Sequence, residues 1–165
     1  MRARLLILLM ALGCGLDLLG PEFERRLTHF SGCGDVIFFA VDADDELMVT
    51  FRAEGLVAAA RAGGTETTTV VELPSDDVEL VVGQGSRISD GTCDDVLENG
   101  GPRVRRSWTG ISGTATVRIR PLEASIDGGR GDLELEDVVF TSEDGDEVTL
   151  DRLEWADISV GWRPG

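Results

Sequence analysis

The sequence predicts an all-β domain, a β-sandwich of about nine mostly antiparallel strands with one short helix. Three observations predict it. From Asp35 onward, apolar residues recur with period two, as where Leu47, Val49 and Phe51 alternate with Met48, Thr50 and Arg52. These runs are short and are separated by turn chemistry at Asp42-Ala43-Asp44-Asp45, Pro74-Ser75-Asp76 and Asp144-Gly145. Finally, 42% of the 165 residues are hydrophobic, enough for one packed core in a chain of single-domain length.

The first strand is expected at about 35–41. Val36 to Val41 is continuously apolar, as in a strand covered on both faces. The second follows at 46–52. Residues 55–62 are Ala-rich, have Val57 as their one β-branched residue and run into Gly63-Gly64, which predicts a short helix with a glycine C-cap. Strands at 66–73 and 77–82 come next; in the latter Val78, Leu80 and Val82 share a face. Two more are expected at 103–109 and 113–120, joined by a turn at Gly110 to Gly113, with Ala115, Val117 and Ile119 facing inward. In 132–142 the apolar phase passes from Leu133 and Leu135 to Val138 and Phe140. One extra residue near Glu136-Asp137 restores the register, which is the signature of a β-bulge. The last strands, 146–151 and 154–162, contain a similar slip between Trp155 and Ile158. Trp108 and Trp155 are expected in the core.

Charge excludes several functions. The chain has 31 acidic residues against 15 basic ones, a formal charge of −16, and no Lys or Tyr; His29 is its one histidine. Phosphate binding runs on clustered Lys and Arg, so nucleic acid is not an expected partner. A zinc centre of several histidines and a His-pair mechanism are excluded by composition. The remaining candidates are weak signals. His29 and Ser31 are close in sequence, but the serine lies in no Gly-x-Ser-x-Gly elbow. Gly83-Gln84-Gly85 lacks the Lys of a phosphate loop and reads as a turn. Arg130-Gly131-Asp132 spells an integrin-binding tripeptide that common residues form by chance. Arg103, Arg105 and Arg106 form the one basic spot, explained by salt links to acidic neighbours. Acidic clusters occur at Asp42, Asp44, Asp45 and Glu46, at Glu143, Asp144, Asp146 and Glu147, and at Asp90, Asp94, Asp95 and Glu98. None has the EF-hand spacing, and solvated hairpin turns account for them, so no metal, cofactor or catalytic residue is assigned. A Ca²⁺-dependent binding or adhesion module is the alternative reading; a carboxylate-based hydrolase is the second alternative.

The amino terminus carries an address. Arg2 and Arg4 precede the uncharged run Leu5 to Leu12, and small residues follow at Ala11 and Gly13. A basic start, a short apolar stretch and a small-residue exit describe an export signal over residues 1–13. The stretch falls short of the roughly 20 apolar residues of a spanning helix. Ala11-Leu12-Gly13-Cys14 resembles the lipobox of bacterial lipoproteins, with Ala11 and Leu12 where that family prefers Leu and then Ala or Ser. The resemblance implies cleavage before Cys14 and its acylation; Ala11 and Gly13 equally suit the ordinary signal peptidase, which would cut the same bond and leave Cys14 without lipid. Gly15, in place of Asp, implies the outer membrane. Residues 14–30 then read as a tether on which Phe23, Leu27 and Phe30 are able to dock, and residues 31–165 as the β-sandwich domain.

Three cysteines are present, Cys14, Cys33 and Cys93. With Cys14 acylated, export to an oxidising compartment leaves Cys33 and Cys93 as one disulfide, worth roughly 4 kcal/mol for a loop of about sixty residues. The mature stretch is similar to uncharacterised envelope lipoproteins of GC-rich Gram-negative bacteria in Cys33-Gly34-Asp35-Val36, Cys93-Asp94-Asp95-Val96, Trp108-Thr109-Gly110 and Asp157-Ile158-Ser159-Val160-Gly161-Trp162. That similarity implies no activity. The expected function is therefore a lipid-anchored, non-enzymatic envelope protein with a binding or structural role, in contact with the membrane through its N-terminal lipid and with a protein or glycan that the sequence does not name.

Overall fold

The computed structural model describes residues 22–93, 100–122 and 128–161. A single 3₁₀ turn, Phe23–Arg26, leads into β1 (Leu27–Cys33), β2 (Ile37–Asp42) and β3 (Leu47–Ala53). Helix α1 (Leu56–Gly63) connects β3 to β4 (Thr67–Leu73), which is followed by β5 (Val78–Ser86), β6 (Arg103–Pro121), β7 (Gly128–Ser142) and β8 (Glu147–Gly161). The fold is all-β with antiparallel pairing and one short helix, as the periodicity predicts.

The opposing layers belong to one continuous sheet, ordered β1-β2-β3-β5-β6-β7-β8, with β4 paired to β6 off this path. The sheet curls until β8 meets β1. Alternation along the seven strands of the path brings those two ends together pointing the same way. Contacts across the seam agree. Phe30 meets Trp155 edge to face at 5.6 Å, a Cβ on Gly32 would touch Ile158 and Ser159, and the Gly161 N–H donates to the Gly34 carbonyl. That last contact is an isolated antiparallel bridge just past the end of β1, and no ladder joins β1 to β8 among the described residues. The seam is held by side chains instead: the Trp155 indole N–H donates to the Phe39 carbonyl at 3.0 Å.

β6 is the organising strand. Its first half, through Thr109, pairs with β5; its second half, from Gly113, pairs with β4 on the same edge. β7 runs along the opposite edge of both halves. The bend falls at the segment 110–113 that the sequence reads as a turn. Leu80 packs onto Gly110, while Gly113 has a φ of 113° and lies so close to β7 that a Cβ would stand 2.7 Å from the Val138 Cα. Glycine is used here for a bend and a close approach inside a strand. The two expected strands 103–109 and 113–120 are accordingly one. Those at 146–151 and 154–162 are also one, because β7 and β8 keep register from Leu135↔Leu153 to Val138↔Leu150 and change face together.

Both predicted slips are present as bulges. One lies where β7 carries Asp137 in a left-handed conformation opposite Gly113, the other where Ala156-Asp157 of β8 faces a single residue of β7. The expected tether is corrected at its end. Leu27–Cys33 is a strand, and Phe23 is 1% exposed, set edge to face against Phe140 at 6.2 Å. Burial of an aromatic ring outweighs the break at Gly20-Pro21, so ordered structure begins before residue 31. Phe38, Phe51, Leu135 and Phe140 are fully buried in the core, and Trp108 and Trp155 join them as expected. The helix ends at Gly64, φ 63°, whose N–H donates to the Arg61 carbonyl at 3.0 Å. Val57 and Ala60 are its buried face.

Candidate functional site

The seam supports a groove of about 610 Å³ on the outer face of β1, β2 and β8. The continuous apolar run of β2 creates its floor. Phe38 and Ala40 point into the core, so Ile37 and Phe39 point outward, where the segment 87–93 and β8 cover them in part. Phe30 of β1, 37% exposed, forms one wall with Ile158 of β8. Gly32 permits the approach of the two strands, since its Cβ would lie 2.7 Å from both Ile158 Cγ2 and the Ile37 carbonyl.

The far wall is tied by a disulfide. Cys33 and Cys93 are bonded at 2.06 Å with Cα atoms 5.8 Å apart. The bond anchors the end of β1 to the segment that crosses β2 and β3. Three further contacts place that segment: Ile88 packs on Gly83, the Ser89 N–H donates to Asp45 Oδ1 at 3.0 Å, and the Arg87 guanidinium donates to the Gly101 carbonyl at 2.8 Å.

One rim of the groove is ionic. Arg130 of β7 donates to both oxygens of Asp157 and, at 2.7 Å, to the Ser159 hydroxyl. Arg120 of β6 donates to Asp132 at 2.9 Å and to Asp157 at 3.4 Å. The hydrogen bond from Arg130 holds the Asp157 carboxyl below its ordinary range, desolvation opposes this in part, and the charges of Arg130 and Arg120 add to it. The same bond raises Arg130. A glycosidase acid needs the opposite, a carboxyl pushed up so that it holds a proton.

The remaining sequence candidates have structural occupations. Asp42 is buried and closes the β2–β3 turn, with Oδ1 accepting from the Glu46 and Leu47 N–H groups at 2.8 and 3.0 Å and Oδ2 from Arg26 at 2.5 Å. Asp146 pairs with Arg106, whose guanidinium also lies 4.8 Å from the centre of the Trp108 ring. Arg105 donates to the Gly85 carbonyl at 3.1 Å, so the basic spot is only partly a matter of salt links. Among the described residues, no three His, Cys, Asp or Glu side chains converge to hold a metal ion. His29 is exposed on β1, with Nδ1 3.0 Å from the Thr28 hydroxyl.

Gly83-Gln84-Gly85 lies within β5 and not in a turn. A Cβ on Gly85 would stand 1.9 Å from the Arg103 carbonyl, so this glycine admits the start of β6. Arg130-Gly131-Asp132 lies in the interior strand β7, with Gly131 under the Phe38 ring. An adhesive tripeptide needs a protruding loop, and this one is built into the sheet. Cys14, Trp162 and the residues Asp94, Asp95 and Glu98 lie outside the described residues. Sequence reasoning missed Phe30, Phe39 and Ile158 as a surface group. The one available signal was the unbroken apolar run of β2, whose outward half needs a cover. No protein-family model matches this chain, and no curated protein and no solved structure matches it either.

Proposed function

We propose that the chain is an exported, non-enzymatic module, held in the cell envelope by lipid on Cys14, that binds or scaffolds another envelope component. The observation that carries this reading is the Cys33–Cys93 bond. Disulfides persist in oxidising compartments and are rare in the cytosol, which supports export. The bond also occupies two of the three cysteines and leaves Cys14 as the odd thiol, directly after the apolar run and in a lipobox-like tetrapeptide. Several acyl chains on one cysteine make a stable anchor where one chain is marginal. Gly15 after the cysteine supports the outer membrane as the destination. The seam groove, with hydroxyls at Ser31, Thr92 and Ser159 around an apolar floor, supports a binding role.

The two alternatives gain less support. The Asp42 carboxylate already accepts two backbone donors and the Arg26 guanidinium, which leaves it little capacity for Ca²⁺. The paired carboxylates at the rim are bridged by arginines.

Intact-mass measurement of protein isolated from its native envelope tests the reading. The expected mass is that of residues 14–165 plus acyl groups, in the membrane fraction, with Cys14→Ser released to the soluble fraction or left uncleaved. An unmodified mass for residues 14–165, in protein extracted without detergent, overturns it.

A further inference from the structure

We infer that the outer edge of β4 is a docking edge for a cationic, extended segment of another polypeptide, which would add to the sheet as a strand. β4 has one neighbour, β6, through an unbroken ladder from Thr67↔Ile119 to Leu73↔Gly113. No backbone hydrogen bond joins its other edge to anything among the described residues. Proteins blunt such edges with charge, proline or a bulge. Here Thr67 to Val71 is uncharged and β-branched throughout, its ladder has no bulge, and Val70 is 60% exposed. The edge is open to strand addition.

The space beside it is shaped for an occupant. β4 and β5 both follow the edge of β6 but diverge, and between β4 and the end of β3 lies a groove of about 910 Å³. Its floor is apolar, formed by Leu56, Val71 and Val78, each half-buried against the core. Alternate side chains of an added strand would face this floor.

Charge then selects the partner. Five carboxylates line the groove, from Glu54, Glu72, Asp76, Asp77 and Glu79, against one guanidinium, Arg52. Arg52 sits 3.7 Å from Glu79, and Glu72 accepts from the Thr114 hydroxyl at 3.3 Å. Glu54, Asp76 and Asp77 make no ion pair among the described residues. A strand with Lys or Arg on its outward face would meet them with complementary charge; an acidic strand, a second copy of this chain included, would be repelled. The inference is independent of lipid at Cys14, because the edge and the groove belong to the folded domain.

Titration of the full chain with a short fluorescent peptide alternating lysine with valine tests it. Binding is expected to weaken at least about tenfold when glutamate replaces lysine in the peptide, and by a similar factor in Glu54→Lys/Asp76→Lys and in Val70→Lys. The substituted side chains lie along the groove or are exposed, and thermal melts verify that the variants fold. Amide exchange should show peptide-dependent protection within β4. Equal affinity for both peptides, unaltered binding in the variants, or protection at the β1–β8 seam instead overturns the inference. So does a concentration-dependent dimer abolished by Val70→Lys, since that assigns the edge to a second copy.

Discussion

Asp157 ties together more of the sheet beside the seam than its exposed position suggests. Its backbone adopts a left-handed φ of 55°, its own N–H donates to Asp132 Oδ1 at 2.7 Å, and its carboxylate receives Arg130 and Arg120. One residue thus joins β6, β7 and β8 at the bulge. Its folded pKa is depressed, so the unfolded chain binds a proton at higher pH than the folded one. The stabilisation is therefore present above the ordinary aspartate range and is lost as pH falls through the folded value. Asp157→Asn should melt below wild type at neutral pH, by a small margin because exposed pairs are screened. The two melting curves should converge below the folded pKa of Asp157. A difference that persists unchanged at acid pH would show that the effect does not come from the carboxylate charge. Asn tolerates the left-handed conformation, which makes it the cleaner substitution.

Glycines govern the elements in the same way that Asp157 governs the rim. At Gly113 a side chain meets two penalties at once, a φ of 113° and the backbone of β7 within 3 Å. Gly113→Ala should lower stability by about 2 kcal/mol or more. Gly63→Ala is the matched control: it lies in the last turn of α1 with its nearest neighbour, Thr65 Oγ1, 3.8 Å away, and should be neutral or slightly stabilising. Chemical denaturation of both variants reads the contrast, and equal midpoints would show that β6 does not need its bend. The bend also explains what was legible. Period two located β3, β5 and both bulges, and the unbroken apolar run located β2, since both signals depend on local sequence alone. The same logic broke β6 at Gly110 to Gly113, because a glycine that admits a neighbouring strand is indistinguishable in sequence from one that makes a turn. β1 was hidden for a related reason. Its exposed Thr28, His29 and Phe30 show no alternation, and its place is fixed by pairing with β2 and by Phe23, a tertiary contact. The seam groove was illegible because its walls come from β1, β2, β8 and a disulfide-bound segment that are distant in sequence.

At the scale of the whole molecule, the parity of the strand path decides where the fold is weakest. An even number of antiparallel strands closes a barrel with an antiparallel ladder, as up-and-down barrels do. Here seven strands lie on the path, and β1 and β8 arrive in the same direction. A parallel ladder needs evenly spaced, slanted bonds along both strands; β8 is bulged at Ala156-Asp157, and the one bridge among the described residues, Gly34↔Gly161, is antiparallel and lies beyond the end of β1. The indole of Trp155, reaching the Phe39 carbonyl across the seam, substitutes for the missing ladder. Local opening costs least where backbone bonds are fewest. The seam-facing amides of β1 and β8 should therefore exchange at least about tenfold faster than the interior amides shared by β6 and β7. Trp155→Phe keeps the buried ring but removes the N–H donor. It should accelerate exchange at the seam further and leave the β6–β7 amides governed by global unfolding. Uniform protection around the ring would show that the seam is hydrogen-bonded in solution. In that case the groove over β1 and β8 is a rigid surface, and a ligand would have to bind it without widening the gap between the two strands.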